Sequence, residues 1–420
     1  MVQTSTSERS QAVSNARFDR AAHRNWWQGS TPKRRLPSFK QVAIFLVQAT
    51  LALAFFIMAL ETYFSIIGVG EQEILMPDPD LGSKHIPGKF ITWRLEGYSR
   101  GNFNSQGLRD VEHPIAKPAN TIRIALVGDS LTECLQVPLE GTWGRQLERV
   151  LNASSLSSKK FEVINFGCSG YSTAQEWLYY KRDVAKYQPD YVLVLYSRGD
   201  TLENTVEPNE RLRAEPRPYY YFNKDGQLTL DRSVLDLNAA KLHPTAWQAF
   251  LQAHSRISGV FSQANLALLL NEKLYWKFKR TVEKAQEKMP LFAPKQSAVT
   301  MPEYPSQDKI EVSCAIVDRL ASDVRANGSR FVLITFPDID TMYGNYSDQI
   351  ARLQKLAHND GFDTIDLTPD FKANTGKRQL VLTYHLSQAG NDVTAQAVSR
   401  YFQTLFAKAN NSSAESSSQH

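Results

Sequence analysis

The sequence predicts an α/β protein: a parallel sheet covered by helices on both faces, preceded by one membrane-spanning helix. Three observations predict this fold class. Short apolar runs rich in β-branched residues recur along the chain, amphipathic helical patterns separate them, and a 19-residue uncharged run stands near the N-terminus. Strands that are buried on both faces are apolar throughout, whereas half-exposed strands alternate apolar and polar side chains. Apolar strands that take turns with helices along the chain are typical of parallel sheets.

The 19-residue run, Val42 to Leu60, has the length of a single-pass membrane anchor. As a helix it would rise about 28 Å, close to the hydrocarbon thickness of a bilayer. Basic residues precede it, and no Lys or Arg follows before Lys84. This bias predicts a cytoplasmic tail at 1–40, a membrane helix at 41–68 and a periplasmic or extracellular body. A buried core helix and a cleavable signal peptide are the alternatives.

The elements beyond this helix follow in a regular order. Residues 69–120 are turn-rich and read as an irregular connector with short extended pieces such as KFITWRL at 89–95. After this connector, strands and helices alternate over 121–408. We predict strands at 122–127, 161–166, 191–197, 331–336 and 362–367, and helices at 141–152, 173–187, 308–326, 347–358 and 388–408.

Three further segments stand apart from this alternation. Residues 205–306 interrupt it with a hairpin near 217–230 and helical patterns over 245–288, either as a lid over the strand ends or as a packing appendage. Residues 1–40 and 409–420 have the polar composition of disordered tails.

Composition and charge exclude several classes of function. The 420 residues are 42% hydrophobic and 22% charged, as in ordinary globular proteins. The formal charge of +5 comes from the first 40 residues, which hold eight basic and two acidic side chains, whereas the other 380 hold 40 and 41. A near-neutral body argues against a nucleic acid partner. The three cysteines are too few for a disulfide scaffold and are not spaced as metal ligands, so we expect neither a metal nor a cofactor.

Three motifs carry candidate chemistry at turns where a parallel sheet presents its ligands. Ser130 follows the first strand in Gly-Asp-Ser, where its hydroxyl can attack and its N–H can stabilise an oxyanion. A glycine-rich turn ending in Gly170 follows the second strand. His385 lies just before the last helix, where it can act as a general base beside Ser130. Each motif alone is common, and a tight turn or a structural histidine is its usual meaning.

Together the motifs resemble those of the SGNH/GDSL hydrolase superfamily, in particular its bacterial members with one N-terminal transmembrane helix. The resemblance covers about residues 82–408. The matching segments are FNSQGLRD at 103–110, GDSLT at 128–132, NFGCSG at 165–170, PDYVLVLYS at 189–197 and HLSQAG at 385–390. It implies a three-layer α/β/α, flavodoxin-like fold, with Ser130 as nucleophile, His385 as base, and the N–H groups of Ser130 and Gly170 as oxyanion donors.

Two positions depart from the family pattern. Gly199 stands where the family has an asparagine whose side chain donates to the oxyanion, so that only its backbone is available there. The family also places an aspartate two or three residues before the histidine, where this chain has Thr383 and Leu382. We therefore expect a Ser-His dyad, held by a backbone carbonyl or by Thr383.

The resemblance implies a membrane-anchored serine esterase. It would act through an acyl-enzyme on short acyl esters, such as acetyl groups of envelope or secreted glycans. Two alternatives remain open: an O-acyltransferase that moves acyl groups onto a glycan beside a membrane acyltransferase partner, and a non-catalytic glycan-binding or assembly protein on the same scaffold.

Overall fold

The computed structural model describes residues 38–67, 74–94, 96–207, 210–211, 214–238, 245–247, 250–251, 255–261, 306–337 and 346–417. The chain divides into two compact units, Met1–Thr62 and Tyr63–His420. Helix α1 (Phe39–Ile67) contains the predicted apolar run. Its length and composition would allow it to cross a membrane, and a signal sequence near an N-terminus has the same character.

Two antiparallel hairpins occupy most of the segment that we expected to be irregular. Strands β1 (Leu75–Asp78) and β2 (Gly82–His85) form the first, and β3 (Phe90–Trp93) and β4 (Ser99–Asn102) form the second. The extended piece predicted at 89–95 is confirmed by β3. The sequence does not predict the pairing into two hairpins, because strands of only four residues are too short for a clear alternation of apolar and polar side chains.

In the described part of the chain, seven further strands follow: β5 (Thr121–Gly128), β6 (Lys160–Asn165), β7 (Tyr191–Tyr196), β8 (Tyr219–Phe222), β9 (Leu228–Asp231), β10 (Arg330–Thr335) and β11 (Asp363–Asp366). Five of them form a parallel sheet in the order β11-β10-β7-β5-β6. Read from the β6 edge, this is the flavodoxin-like order 2-1-3-4-5. Strands β8 and β9 form the hairpin predicted within the insertion.

The remaining helices are α2 (Ser130–Glu133), α3 (Trp143–Ala153), α4 (Thr173–Arg182), α5 (Arg198–Glu203), α6 (Ser233–Leu237), α7 (Arg256–Phe261), α8 (Lys309–Ala326), α9 (Tyr346–Asp360), α10 (Thr368–Asn374) and α11 (Gln388–Ser417). Helices α3, α10 and α11 pack on the sheet face that carries Ile124 and Leu126. Helices α4, α8 and α9 cover the opposite face, with Ala125 and Val127. The fold is therefore the three-layer α/β/α arrangement that the resemblance implied.

Two helix ends differ from the sequence prediction. Helix α4 ends at Arg182 because Asp183 leaves the helical region with φ −127°, and a 3₁₀ turn at Val184–Tyr187 follows. Helix α11 continues to Ser417 through the segment where we expected a disordered tail, since each residue added to an existing helix gains a hydrogen bond at little further cost. In the insertion, residues 262–305 lie outside the described part of the chain, as do residues 1–37 of the predicted tail.

Candidate active site

Ser130 is held at the carboxyl end of β5, the first strand of the parallel sheet in chain order, by a very short helix. It is the first residue of α2, and the Asp129 side chain caps this helix by accepting a hydrogen bond from Leu131 N at 2.8 Å. A Cβ at Gly128 would lie 2.2 Å from Thr132 Oγ1, so glycine is needed for the helix to fold back on the strand. The first N–H groups of a helix have no intrahelical acceptor, which leaves the Ser130 N–H available to a ligand.

His385 lies beside Ser130. Its Nε2 is 3.0 Å from Ser130 Oγ, although 255 residues separate the two along the chain. The turn that carries His385 is closed by a hydrogen bond from Leu382 N to His385 O at 2.8 Å. Gly390 packs so closely on this turn that a Cβ there would lie 2.1 Å from Leu380 O. The structure thus brings the two predicted side chains together, and their catalytic roles belong to the proposal below.

The other ring nitrogen of His385 contacts a carboxylate that the sequence reading missed. Nδ1 lies 2.9 Å from Oε2 of Glu96, in the loop between β3 and β4. The expectation that a backbone carbonyl or Thr383 holds the imidazole is therefore wrong, because this nitrogen contacts Glu96. No sequence signal pointed to Glu96, because 289 residues separate it from His385 and only the packing of the hairpin brings them together.

The glycine-rich turn after β6 lies directly against the nucleophile turn. Cys168 N donates to Gly128 O at 3.0 Å, and a Cβ at Gly167 would lie 2.4 Å from Glu133 N. Tyr171 N donates back to Cys168 O at 3.1 Å, which closes a turn with Gly170 in its third position at φ +79°. This backbone conformation favours glycine, and a Cβ at Gly170 would meet nothing within 4 Å. The space beside this residue is therefore open to a ligand.

Gly199 is in the first turn of α5, at the carboxyl end of β7, and β7 pairs directly with β5. Having no side chain, it can offer only its N–H group, and its role as an oxyanion donor stays a prediction. The nearby Asn204 does not replace the missing asparagine, because its amide is committed elsewhere. It accepts from Ala174 N at 2.8 Å and donates to Ser313 Oγ at 2.9 Å.

Two buried carboxyl groups behind the nucleophile contact the same serine hydroxyl. Ser197 Oγ lies 3.2 Å from Asp129 Oδ2 and 3.1 Å from Asp200 Oδ2. Burial raises the pKa of Asp129 to about 6, and burial together with the Asp129 charge raises the pKa of Asp200 to about 8. Burial, with both of these charges, also raises the pKa of Glu176 well above its usual range. The Ser197 hydroxyl has one proton and can donate to only one of the two carboxyl groups at a time, while burial disfavours the ionised form of both.

A buried ion pair connects the nucleophile helix to the Gly170 turn. Glu133, the last residue of α2, accepts hydrogen bonds from Ser169 N at 2.8 Å and from Ser169 Oγ. Its other oxygen lies 2.9 Å from His85 Nε2, while His85 Nδ1 lies 2.9 Å from Gly107 O. Burial opposes ionisation of both side chains. The Cys168 thiol and Glu133 nevertheless raise the pKa of His85, and His85 and Ser169 hold that of Glu133 below its usual value.

The described residues contain no group of three or more His, Cys, Asp or Glu side chains arranged to hold a metal ion. Cys134, Cys168 and Cys314 are free thiols. The site as described is built from a serine, a histidine, a carboxylate and backbone N–H groups, which is the set that acyl transfer through a covalent serine intermediate requires.

Two solved structures illustrate what this chain is similar to. Among solved structures, a catalytic mutant of an acetylxylan esterase from Geobacillus stearothermophilus is similar, with 12% identity and a TM-score of 0.36, over 67% of this chain and 94% of that one. A putative lipolytic protein of the G-D-S-L family from Desulfitobacterium hafniense has 11% identity and a TM-score of 0.34, over 66% and 98%. A search of curated protein sequences found no match.

A family model gives the decisive comparison. Residues 126–393 match the GDSL-like Lipase/Acylhydrolase family, a span that begins within β5 and ends within α11. It therefore includes the whole parallel sheet apart from the start of β5, together with the turns that carry Ser130, Gly170 and His385. The chain belongs to the GDSL-like lipase/acylhydrolase family.

Proposed function

We propose that this protein is a membrane-anchored serine esterase that hydrolyses short acyl esters, such as acetyl groups on envelope or secreted glycans. The observation that carries the proposal is the 3.0 Å contact between Ser130 Oγ and His385 Nε2 at the carboxyl end of β5. This distance lies within the range at which a general base takes a proton from its nucleophile. The family resemblance supports the short acyl group and the glycan.

The reaction would proceed through an acyl-enzyme. Ser130 Oγ attacks the ester carbonyl carbon while its proton passes to His385 Nε2, and the N–H groups of Ser130 and Gly170 stabilise the resulting oxyanion. Collapse of this intermediate breaks the bond to the alcohol, which leaves with the proton from His385. Water then attacks the acyl group and gives a proton to His385, and cleavage of the acyl bond returns that proton to Ser130 Oγ.

The anchor in this proposal is α1, in which an 18-residue window within Phe39–Ile66 has a mean hydropathy of 2.4. With the basic residues before it and acidic residues after it, the catalytic unit would lie outside the cytoplasm. In intact cells, we expect protease added from outside, with access to the periplasm, to degrade the body of the chain. We also expect alkaline carbonate to leave the full-length protein in the membrane pellet. Release by carbonate would contradict the anchor.

The esterase proposal is tested with the full-length chain in detergent micelles and a series of p-nitrophenyl esters from acetate to octanoate. We expect hydrolysis of the acetate to be fastest and Ser130→Ala to lower kcat by at least about 10³-fold. The matched control is Ser154→Ala, which removes a hydroxyl that bonds Leu151 O at the end of α3 and should leave the rate unchanged. Equal rates in the parent and Ser130→Ala would overturn the proposal.

A further inference from the structure

We propose that Glu96 is the acid of the catalytic triad and that the β3–β4 hairpin, rather than the loop of His385 itself, supplies it. The inference rests on the proposed esterase function and assigns the group that the usual family position lacks. Leu382 and Thr383 stand where the acid is expected, and neither can carry a negative charge.

The contacts of the Glu96 carboxylate are those that a triad acid requires. Oε2 lies 2.9 Å from His385 Nδ1 and 3.4 Å from Tyr384 N, so one oxygen restrains both the ring and the backbone beside it. When Nδ1–H donates to this carboxylate, Nε2 is the unprotonated nitrogen, and it faces Ser130 Oγ. The negative charge would then stabilise the imidazolium that forms when Ser130 loses its proton.

Partial burial strengthens this interaction. The Glu96 side chain is 14% exposed and the His385 side chain 23%. Charges that are largely shielded from water interact more strongly than charges on the open surface, and salt screens them less. The pair is therefore placed where a carboxylate has a large effect on an imidazolium, and the residual exposure of the ring leaves a route for the ester.

The hairpin holds Glu96 against the segment that directly follows the nucleophile helix. Tyr98 N donates to Gln136 O at 3.1 Å, and the buried Ser99 Oγ donates to Leu135 O at 2.5 Å. Gly97 adopts φ +69°, and a Cβ there would lie 2.2 Å from Gln136 O. The indole of Trp93 donates to Glu96 O at 3.0 Å and fixes the backbone of the acid itself.

These contacts link the hairpin that carries Glu96 to the backbone that directly follows Ser130 and its helix. Residues 134–137 begin where α2 ends, so a displacement of the hairpin would move Glu96 relative to both Ser130 and His385. The span matched by the family model begins at residue 126, after the hairpin. The matched region therefore lacks one member of the triad, and the membrane-proximal segment completes the active site.

The test compares Glu96→Gln, Glu96→Asp and the parent as full-length chains in detergent micelles. We expect Glu96→Gln to lower kcat for p-nitrophenyl acetate by about 10³- to 10⁴-fold with KM nearly unchanged. Glu96→Asp keeps the charge and should retain more activity than Glu96→Gln.

Two further measurements separate catalysis from folding. Glu140→Gln removes a surface carboxylate whose side chain is 66% exposed, and it serves as the charge-matched control with parental kinetics. Thermal unfolding of Glu96→Gln should match that of this control. A phosphonofluoridate labels the nucleophile: Ser130 Oγ bonds to phosphorus, fluoride leaves and the serine proton passes to His385. In Glu96→Gln, the rate of this labelling should fall in proportion to kcat.

The outcomes distinguish the two proposals. If the parent is labelled at Ser130 and hydrolyses the ester, but Glu96→Gln has parental kcat, Glu96 is not the triad acid and the esterase assignment stands. Equal losses of kcat in Glu96→Gln and Glu96→Asp would reduce Glu96 to a packing residue and overturn the inference. If the parent is neither labelled nor active, the esterase proposal fails and this inference fails with it.

Discussion

Replacement of Glu133 by glutamine tests the buried ion pair that supports the Gly170 turn. The side chain is fully buried, its partner His85 is 5% exposed, and their nearest N and O atoms are 2.9 Å apart. Arg109, which has no exposed surface, also lies within electrostatic reach of Glu133. The amide of glutamine keeps the shape of the carboxylate but leaves buried cations without their counter-charge.

The magnitude follows from this burial. Removing one partner of a buried ion pair costs about 3 to 5 kcal/mol, since the remaining charge stays desolvated. In a large domain, at about 2 °C per kcal/mol, this corresponds to a fall in Tm of about 6 to 10 °C. An exposed glutamate such as Glu140 should change the free energy of unfolding by less than about 0.5 kcal/mol.

The assay is thermal unfolding of the full-length chain, in detergent micelles at pH 7, for Glu133→Gln, His85→Gln, the double variant and Glu140→Gln. Because the two side chains lose one shared interaction, we expect the double variant to be more stable than the sum of the single losses would predict. Additive losses, or a Glu133→Gln change no larger than that of Glu140→Gln, would refute the ion pair as the source of stability at this site.

Three further predictions concern the active site and its pH dependence. Gly97→Ala should lower both stability and kcat, measured by melting and ester hydrolysis, because its Cβ would push the hairpin away from Gln136 O; a parental kcat would contradict the anchoring argument. For Asp200, whose pKa rises from 3.8 to about 8 through burial and the Asp129 charge, the folded state binds its proton more tightly than the unfolded state. Stability should therefore fall as pH rises from about 4 to about 8, and Asp200→Asn should reduce this slope in denaturant titrations; an unchanged slope would exclude Asp200 as its source. Burial lowers the pKa of His113, but Asp110 and Glu162 outweigh this effect and raise the pKa from 6.5 to about 9. Because the folded state holds this proton more tightly than the unfolded state, the stability that His113 contributes is present below pH 6.5 and is lost towards pH 9. His113→Gln should destabilise the protein at pH 6 and much less at pH 9.5, and an equal loss at both values would contradict the ion pairs.

Much of the fold was predictable because its elements are long and strongly patterned. Every residue of β5 except the first is buried, and the apolar run of this strand can be recognised directly in the sequence. The pairing of β3 with β4 was not predictable, because it depends on contacts with residues 134–137 rather than on the periodicity of either strand. The end of α4 depends on the backbone angles of a single residue, which the helical pattern of residues 173–187 does not reveal.

The sequence by itself determined the order of strands and helices, the apolar N-terminal run, and the turns that carry Ser130, Gly170 and His385. These features are local, since each is a pattern of neighbouring residues or a turn at the end of a strand. Only the tertiary structure decided which carboxylate faces His385. The contact with Glu96 joins residues far apart in the chain, and its geometry depends on how the hairpin packs against the backbone after α2. Such a contact leaves no periodic signal, because the free energy that forms it comes from packing and hydrogen bonds between segments rather than from either segment alone.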